Sequence, residues 1–118
     1  MFEALELSLC VLDQLATVEP KLRAKRKSLA DQIGRAAESI ALNLSEGRMR
    51  AGLDKPDLYR RAAGSASELT TALRIARARG YITPADYGAI DEPLDHVRAI
   101  LYTLTHCGGA AAPPRFTA

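Results

Sequence analysis

Polar side chains follow one another at helical spacing in the apolar stretch SLADQIGRAAESIALNLSEG, where Ser39, Asn43 and Glu46 border the hydrophobic positions. Ser65 and Glu68 occupy the equivalent flank of a later apolar pattern. If the two segments are neighbouring helices, these five side chains meet along one polar seam, where partly buried groups require hydrogen-bond partners. The seam predicts either a binding pocket or a structural contact that fixes the register of the two helices.

The chain has two histidines, His96 and His106, and neither has a glutamate three residues before it. The Glu-x-x-His pairs of di-iron helical bundles are therefore absent. Cys107 directly follows His106, and adjacent side chains diverge on a helix, so the two do not form a tetrahedral zinc site. None of the segments GRMRAG, RAAGSASE and HCGG matches a phosphate-binding loop. The sequence predicts a protein that is not an enzyme and that holds no cofactor or metal.

Basic residues are concentrated in the middle of the chain. The net charge is +2, but residues 21–79 carry fourteen Lys and Arg against six acids, a balance of +8, whereas residues 1–20 carry four acids and no base. Such a segment attracts polyanions, although its charges can equally serve to solubilise the surface and pair with nearby acids. The candidate nucleic-acid-binding residues are Lys21, Arg23, Lys25, Arg26, Lys27, Arg48, Arg50, Lys55, Arg60 and Arg74.

The length of 118 residues, with 47% hydrophobic and 25% charged residues, is typical of one globular domain. No run approaches the roughly 20 apolar residues of a membrane helix, and the first residues carry acids where a signal peptide carries bases. We therefore expect a cytoplasmic protein without a membrane partner. Cys10 and Cys107 lie near opposite ends, which favours two reduced thiols over a disulfide.

The apolar periodicity predicts four helices and no strand. The first helix is predicted from about Phe2 to Thr17, followed by a break in VEPKLRAKRK around Pro20. Ser28 and Asp31 resemble a capping box that opens the second helix, and Gly47 fits the left-handed position that ends one.

The third helix is predicted to begin with Asp54 as its cap and to end at Gly80. Thr83, Pro84 and Asp86 read as N-cap, N1 and N3 of the fourth helix. Pro93 lies inside the fourth pattern and is expected to kink or interrupt it. The residues from Gly108 onward have no periodicity and predict a flexible tail over 108–118, after a helical domain over 1–107.

Four amphipathic helices with short connections predict an antiparallel up-down-up-down bundle. The first helix has two apolar stripes, one of them formed by Leu7, Val11 and Leu15, which is more than one small core covers. Leu42 and Ile75 also point away from the core stripes of their helices. These five residues are the candidate interface of a homo-oligomer.

The segments RAAESIALNLSEGRMR and AAGSASELTTALRIARARGYI resemble the four-helix bundle proteins encoded by intervening sequences of bacterial 23S ribosomal RNA genes. This family is related to the accessory proteins of diversity-generating retroelements. The resemblance runs from about Phe2 to His106, with Ala41 as a departure where family members often carry proline. It implies a ring-like homopentamer and, for the retroelement proteins, binding of RNA and of a reverse transcriptase. It brings no catalytic residues.

Overall fold

The computed structural model describes residues 2–50 and 54–106, which form four α-helices and no strand. The helices are α1 (Glu3–Lys25), α2 (Lys27–Met49), α3 (Asp54–Ala78) and α4 (Pro84–Thr105). Each helix packs against the next in the chain, and α1 also packs against α4, which closes a four-helix bundle. The all-α, four-helix prediction is confirmed.

Side-chain contacts at the two ends give the directions of the helices. At one end, Lys21 near the end of α1 pairs with Asp86 in the first turn of α4. At the other end, Phe2 before α1 contacts the ring of Tyr59 near the start of α3, with ring centroids 6.3 Å apart. Helices that are neighbours in the bundle therefore run antiparallel. No helix among the described residues is long and apolar enough to cross a membrane.

In α2, α3 and α4 the core is formed by buried aliphatic and alanine side chains, among them Ile40, Leu69 and Leu94. In α1 the buried stripe is Ala4, Ser8, Val11, Leu15, Val18 and Leu22. Ser8 is accommodated there because its hydroxyl donates to the carbonyl of Leu5 at 2.7 Å. Small residues on α2 and α3 allow the helix backbones to approach closely.

The predicted break around Pro20 is wrong, because α1 continues to Lys25. Proline removes one backbone donor and crowds the carbonyl four residues earlier, which here belongs to Ala16, an exposed residue outside the core. Val18 and Leu22 are buried on either side of Pro20 and hold the helix against the core.

The capping box at Ser28 and Asp31 is not formed. Arg26, in an extended conformation, is the single residue between α1 and α2 and serves as the cap residue of both helices. Its N–H donates to the carbonyl of Leu22 at 2.9 Å, and its own carbonyl accepts from Ala30 at 3.1 Å. Because α2 begins at Lys27, Ser28 already lies within its first turn, and the cap position falls two residues before Ser28, at Arg26.

Gly47 does not end α2, which continues to Met49. A Cβ atom on Gly47 would lie 2.8 Å from Cε1 of Tyr59, so the glycine is required for close packing of α2 on α3. Gly80, in contrast, has the predicted left-handed conformation, with φ of +74°. The N–H of Gly80 donates to Arg77 and that of Tyr81 to Ala76, which is the Schellman pattern at the end of α3.

The predicted start of α4 is confirmed. Thr83 Oγ1 accepts from the N–H of Asp86, and the Asp86 carboxylate accepts from the N–H of Thr83, both at 3.0 Å. Pro93 does not interrupt α4, which extends from Pro84 to Thr105.

Three predictions fall at least partly outside the described residues. They are the tail over 108–118, the state of Cys107 and the cap of α3. α3 begins at Asp54, so its N-cap position falls on residue 53, and the cap predicted at Asp54 lies outside the described residues. Cys10 is described, and it is exposed and free.

Candidate nucleic-acid interface

The structure places the five basic candidates between Lys21 and Lys27 at the same end of the bundle as Arg77 and Arg79, which were not candidates. The α1–α2 junction and the α3–α4 turn lie at the same end of the bundle, as the Lys21–Asp86 pair shows. We define the basic end as residues 19–31 and 77–86, which hold seven Lys and Arg against three acids, a net charge of +4. Its basic residues are Lys21, Arg23, Lys25, Arg26, Lys27, Arg77 and Arg79.

Ion pairs engage part of the basic end. Arg23 contacts Glu19 and Asp31, the latter at 2.8 Å, and the hydrogen bonds that its guanidinium donates to these carboxylates raise the pKa of Arg23. The hydrogen bond from Lys21, followed by the bond from the Thr83 backbone, lowers the pKa of the Asp86 carboxyl. Because they are paired, Lys21 and Arg23 are less available to bind a ligand than the unpaired basic residues at this end.

Lys25, Lys27 and Arg79 are exposed and form no ion pair within the described part of the chain. Arg26 is also exposed, and its Nε donates to Ser28 Oγ at 3.4 Å. Arg79 was not a sequence candidate. Its position follows from the antiparallel topology, because the end of α3 returns to the α1–α2 junction.

Arg48, Arg50 and Lys55 form a second basic cluster at the opposite end of the bundle, which is 43 Å long. Arg50 pairs with Glu46 at 2.9 Å. The Arg48 guanidinium lies 5.8 Å from the centre of the Phe2 ring, and Lys55 Nζ lies 5.9 Å from that of Tyr59. These cations are therefore held against their own chain. Arg60 and Arg74 are exposed on α3 between the two ends, so the ten candidates do not form one patch.

Three of the five residues predicted for the polar seam are joined between α2 and α3. Ser39 Oγ and Ser65 Oγ are 2.7 Å apart, and Asn43 Nδ2 donates to the carbonyl of Ser39 at 2.8 Å and to its hydroxyl at 3.1 Å. Glu46 and Glu68 are exposed and lie outside this contact. The polar groups of this contact satisfy one another, so they offer little hydrogen bonding to a ligand.

A second polar site between α3 and α4 was missed by the sequence analysis. Arg98 is buried and donates from Nη2 to Asp91 at 2.8 Å and to Asp95 at 3.0 Å, and from Nη1 to Thr70 at 2.9 Å. Asp91 and Thr70 are buried as well. Buried Asp and Arg are rare unless paired, so this network is a specific feature of the fold.

Tyr87 adjoins this network one helical turn before Asp91. Its hydroxyl is buried and has no hydrogen-bond partner among the described residues. Burial, and then the nearby charge of Asp91, raise the pKa of Tyr87. The Arg77 guanidinium stacks over the Tyr87 ring, 4.2 Å from its centre.

The interface candidates divide into buried and exposed side chains. Val11 and Leu15 are buried in the core and Leu7 packs against it, so these three face inward, and the large apolar side chain that α1 exposes is Leu9. Leu9 is 43% exposed. Leu42 and Ile75 are 68% and 40% exposed, as their positions predicted.

The histidines lie apart from one another on α4. His96 is exposed, and His106 stacks on Tyr102 with ring centroids 3.9 Å apart. His106 Nδ1 lies 2.9 Å from the Tyr102 carbonyl at the end of α4. No group of three or more His, Cys, Asp and Glu side chains among the described residues is placed to hold a metal ion.

Comparison with known proteins adds the family. A crystal structure of a protein of unknown function from the S23 ribosomal protein family of Bacteroides thetaiotaomicron has the same fold, with a TM-score of 0.79 and 20% identity. The match covers 88% of this chain and 99% of that one. Comparison with curated protein sequences finds no relative. The model of the 23S rRNA-intervening sequence protein family matches residues 3–103. The chain therefore belongs to the 23S rRNA-intervening sequence protein family.

Proposed function

We propose that this protein is a non-enzymatic, self-assembling bundle that binds structured RNA in the cytoplasm, and that the basic end is the RNA-binding surface. The observation that carries the proposal is the net charge of +4 at one end, where Lys25, Lys27 and Arg79 are exposed. Two separate segments of the chain contribute these charges. An exposed cluster of this kind attracts phosphate groups.

The expected interaction is mainly electrostatic. The basic end has one half-buried aromatic residue at its surface, Tyr81, which offers little area for stacking on bases. Lys and Arg contacts to phosphates carry little sequence information. We therefore expect weak sequence preference and a steep loss of affinity with salt, each phosphate contact adding about 0.7 to 0.9 to the logarithmic slope.

The test is a titration of labelled structured RNA at low and at physiological salt. The variant K25Q/K27Q/R79Q should bind more weakly, with a salt slope reduced by about 2 to 3, because three phosphate contacts are removed. The control variant R48Q/R50Q/K55Q has the same net charge but changes the opposite end, and it should bind like the wild type. Equal loss in both variants, or loss in the control alone, would reject the basic end as the binding surface.

Self-assembly is supported by the apolar side chains that the single chain leaves exposed, including Leu9, Leu42 and Ile75. Burying such side chains against another subunit removes apolar surface from water. The number of five subunits follows from the family resemblance alone. Light scattering at micromolar concentration should give a mass well above 12.7 kDa, and a monomer would reject the assembly.

The alternative is a protein-interaction scaffold, for example an accessory subunit of a retroelement reverse transcriptase. The observation that favours it is the outward placement of Leu42 and Met49 on α2, which are 68% and 83% exposed. Co-expression with a candidate reverse transcriptase should then yield a complex that L42Q/M49Q weakens and K25Q/K27Q/R79Q leaves intact. The opposite pattern would favour RNA binding.

A further inference from the structure

A groove of about 320 Å³ lies between α3 and α4. Its α3 side is formed by small side chains, among them Ala63, Ser67 and Thr71, and its α4 side by Leu101 and Tyr102. Small residues along one wall allow another helix to approach closely.

The floor of the groove is polar, but its hydrogen bonds are made within the chain. Thr70 Oγ1 donates to the carbonyl of Ala66 at 2.8 Å and accepts from Arg98 at 2.9 Å. Arg98 also binds Asp91 and Asp95. Because the Thr70 hydroxyl and both terminal nitrogens of Arg98 are already engaged, the floor offers few polar groups to a ligand, and this favours an occupant with an apolar side chain.

Arg74 lines the rim of the same groove and is exposed. It forms no ion pair among the described residues. α3 as a whole carries five bases against three acids, a balance of +2. The groove therefore matches an apolar side chain that is flanked by carboxylates.

The outer face of α1 has this composition. Leu9 is 43% exposed, and Glu6 and Asp13 lie three residues before it and four residues after it, on the same side of the helix. Both acids are exposed, and α1 carries no basic residue before Lys21. Two of the described helices, α1 and α4, carry more acids than bases, and of these two only α1 has a large apolar side chain that is exposed.

We propose that the groove between α3 and α4 receives α1 of a second copy of this chain, with Leu9 in the groove and Glu6 and Asp13 facing Arg74. This inference rests on the self-assembly proposed above, and it specifies the two surfaces that meet when one copy of the chain binds another. The two surfaces differ and α1 does not line the groove, so the contact is heterologous. Repeating it generates a closed ring or an open filament.

The test uses charge reversal and its compensation. R74E and E6K/D13K should each raise the concentration at which the oligomer dissociates by at least about tenfold, because like charges then face one another. The variant E6K/D13K/R74E should recover association, since it restores opposite charges with the signs exchanged. R35E, an exposed arginine on α2 with the same change of charge, should assemble like the wild type. Light scattering measures the mass, and thermal melting verifies that each variant is folded.

Mixing the two single-surface variants gives an independent measurement. Acidic α1 of the R74E protein meets Arg74 of the E6K/D13K protein, and basic α1 of the latter meets Glu at position 74 of the former, so the mixture should associate where each protein alone does not. A monomeric wild type would overturn the assembly and this inference together. If the wild type assembles but R74E and E6K/D13K assemble equally well, this inference is wrong and assembly uses another surface. The same conclusion follows if neither E6K/D13K/R74E nor the mixture recovers association.

Discussion

The contact of Gly47 with Tyr59 sets how closely the end of α2 approaches α3. A methyl group at Gly47 would lie 2.8 Å from Tyr59 Cε1, so Gly47→Ala forces a buried ring to move. Overpacking of this kind costs about 1 to 3 kcal/mol, partly offset by the better helix propensity of alanine. We expect a lower free energy of unfolding in urea.

Gly34 and Gly64 are matched controls for this substitution. Both lie inside helices, and nothing is within 4 Å of a Cβ added at either position. Alanine there should raise the free energy of unfolding by up to about 1 kcal/mol. If Gly47→Ala stabilises the protein as these controls do, the close approach does not limit packing.

Arg98 holds two carboxylates in the α3–α4 contact, one of them the buried Asp91. Arg98→Met leaves the charge of Asp91 buried without its partner, which typically costs about 3 to 5 kcal/mol. The double variant D91N/R98M should recover part of this loss, since a neutral amide needs no counter-charge. Denaturant unfolding measures both, with the exposed Arg35→Met as a control that should change stability by no more than about 0.5 kcal/mol. If D91N/R98M loses as much free energy of unfolding as Arg98→Met alone, the loss comes from the packing of the Arg98 side chain rather than from the unpaired charge of Asp91.

The residue types alone predicted the seam better than the network. Ser39, Asn43 and Ser65 border the apolar stripes, and their short side chains reach only across a helix contact. Asp91 and Arg98 read as surface residues because charged side chains are seldom buried. Asp91 and Arg98 are seven residues apart, which places them two helical turns apart on the same side of α4, next to its core residues. This spacing was the available signal for a buried pair. It does not show that Thr70, on another helix, completes the site.

The start of α4 combines a helix cap with a contact between helices, and both depend on the Asp86 carboxylate. Lys21 and the Thr83 backbone lower the pKa of Asp86 in the folded protein, so the unfolded chain binds its proton more readily. The stabilisation is therefore present above the ordinary Asp value of about 3.9 and is lost as pH falls through the lower pKa of the folded state. Melting from pH 6 to pH 2 should show a steeper loss for the wild type than for D86N, and parallel curves would contradict this linkage.

The elements that sequence predicts well have local causes. Thr83, Pro84 and Asp86 satisfy the first turn of α4 among themselves, and Gly80 ends α3 through its own backbone conformation. Pro20 and Gly47 were misread because tertiary packing overrides the local signal at both positions. Burial of Val18 and Leu22 carries α1 past its proline, and Tyr59 occupies the space that a glycine makes available.

The whole molecule connects the two proposals through symmetry. In a closed ring, rotation about the axis gives every protomer the same direction along that axis. If the bundles stand along the ring axis, all basic ends gather on one face of the assembly. RNA that contacts several of them gains effective concentration, and linking sites in this way can raise affinity by about 10² to 10⁴.

Assembly should therefore strengthen RNA binding, and a variant that loses assembly should bind RNA more weakly even if it gains positive charge. E6K/D13K raises the net charge from +2 to +6, which by itself should increase the attraction to RNA, yet it breaks the proposed contact between subunits. We expect its affinity for structured RNA to fall at least about tenfold at physiological salt, and E6K/D13K/R74E, which reassembles at a net charge of +4, to regain it. Fluorescence anisotropy at a protein concentration where light scattering shows assembled wild type measures this loss. If the monomeric variant binds more tightly than the wild type, each bundle binds RNA independently, and net charge rather than the ring determines affinity.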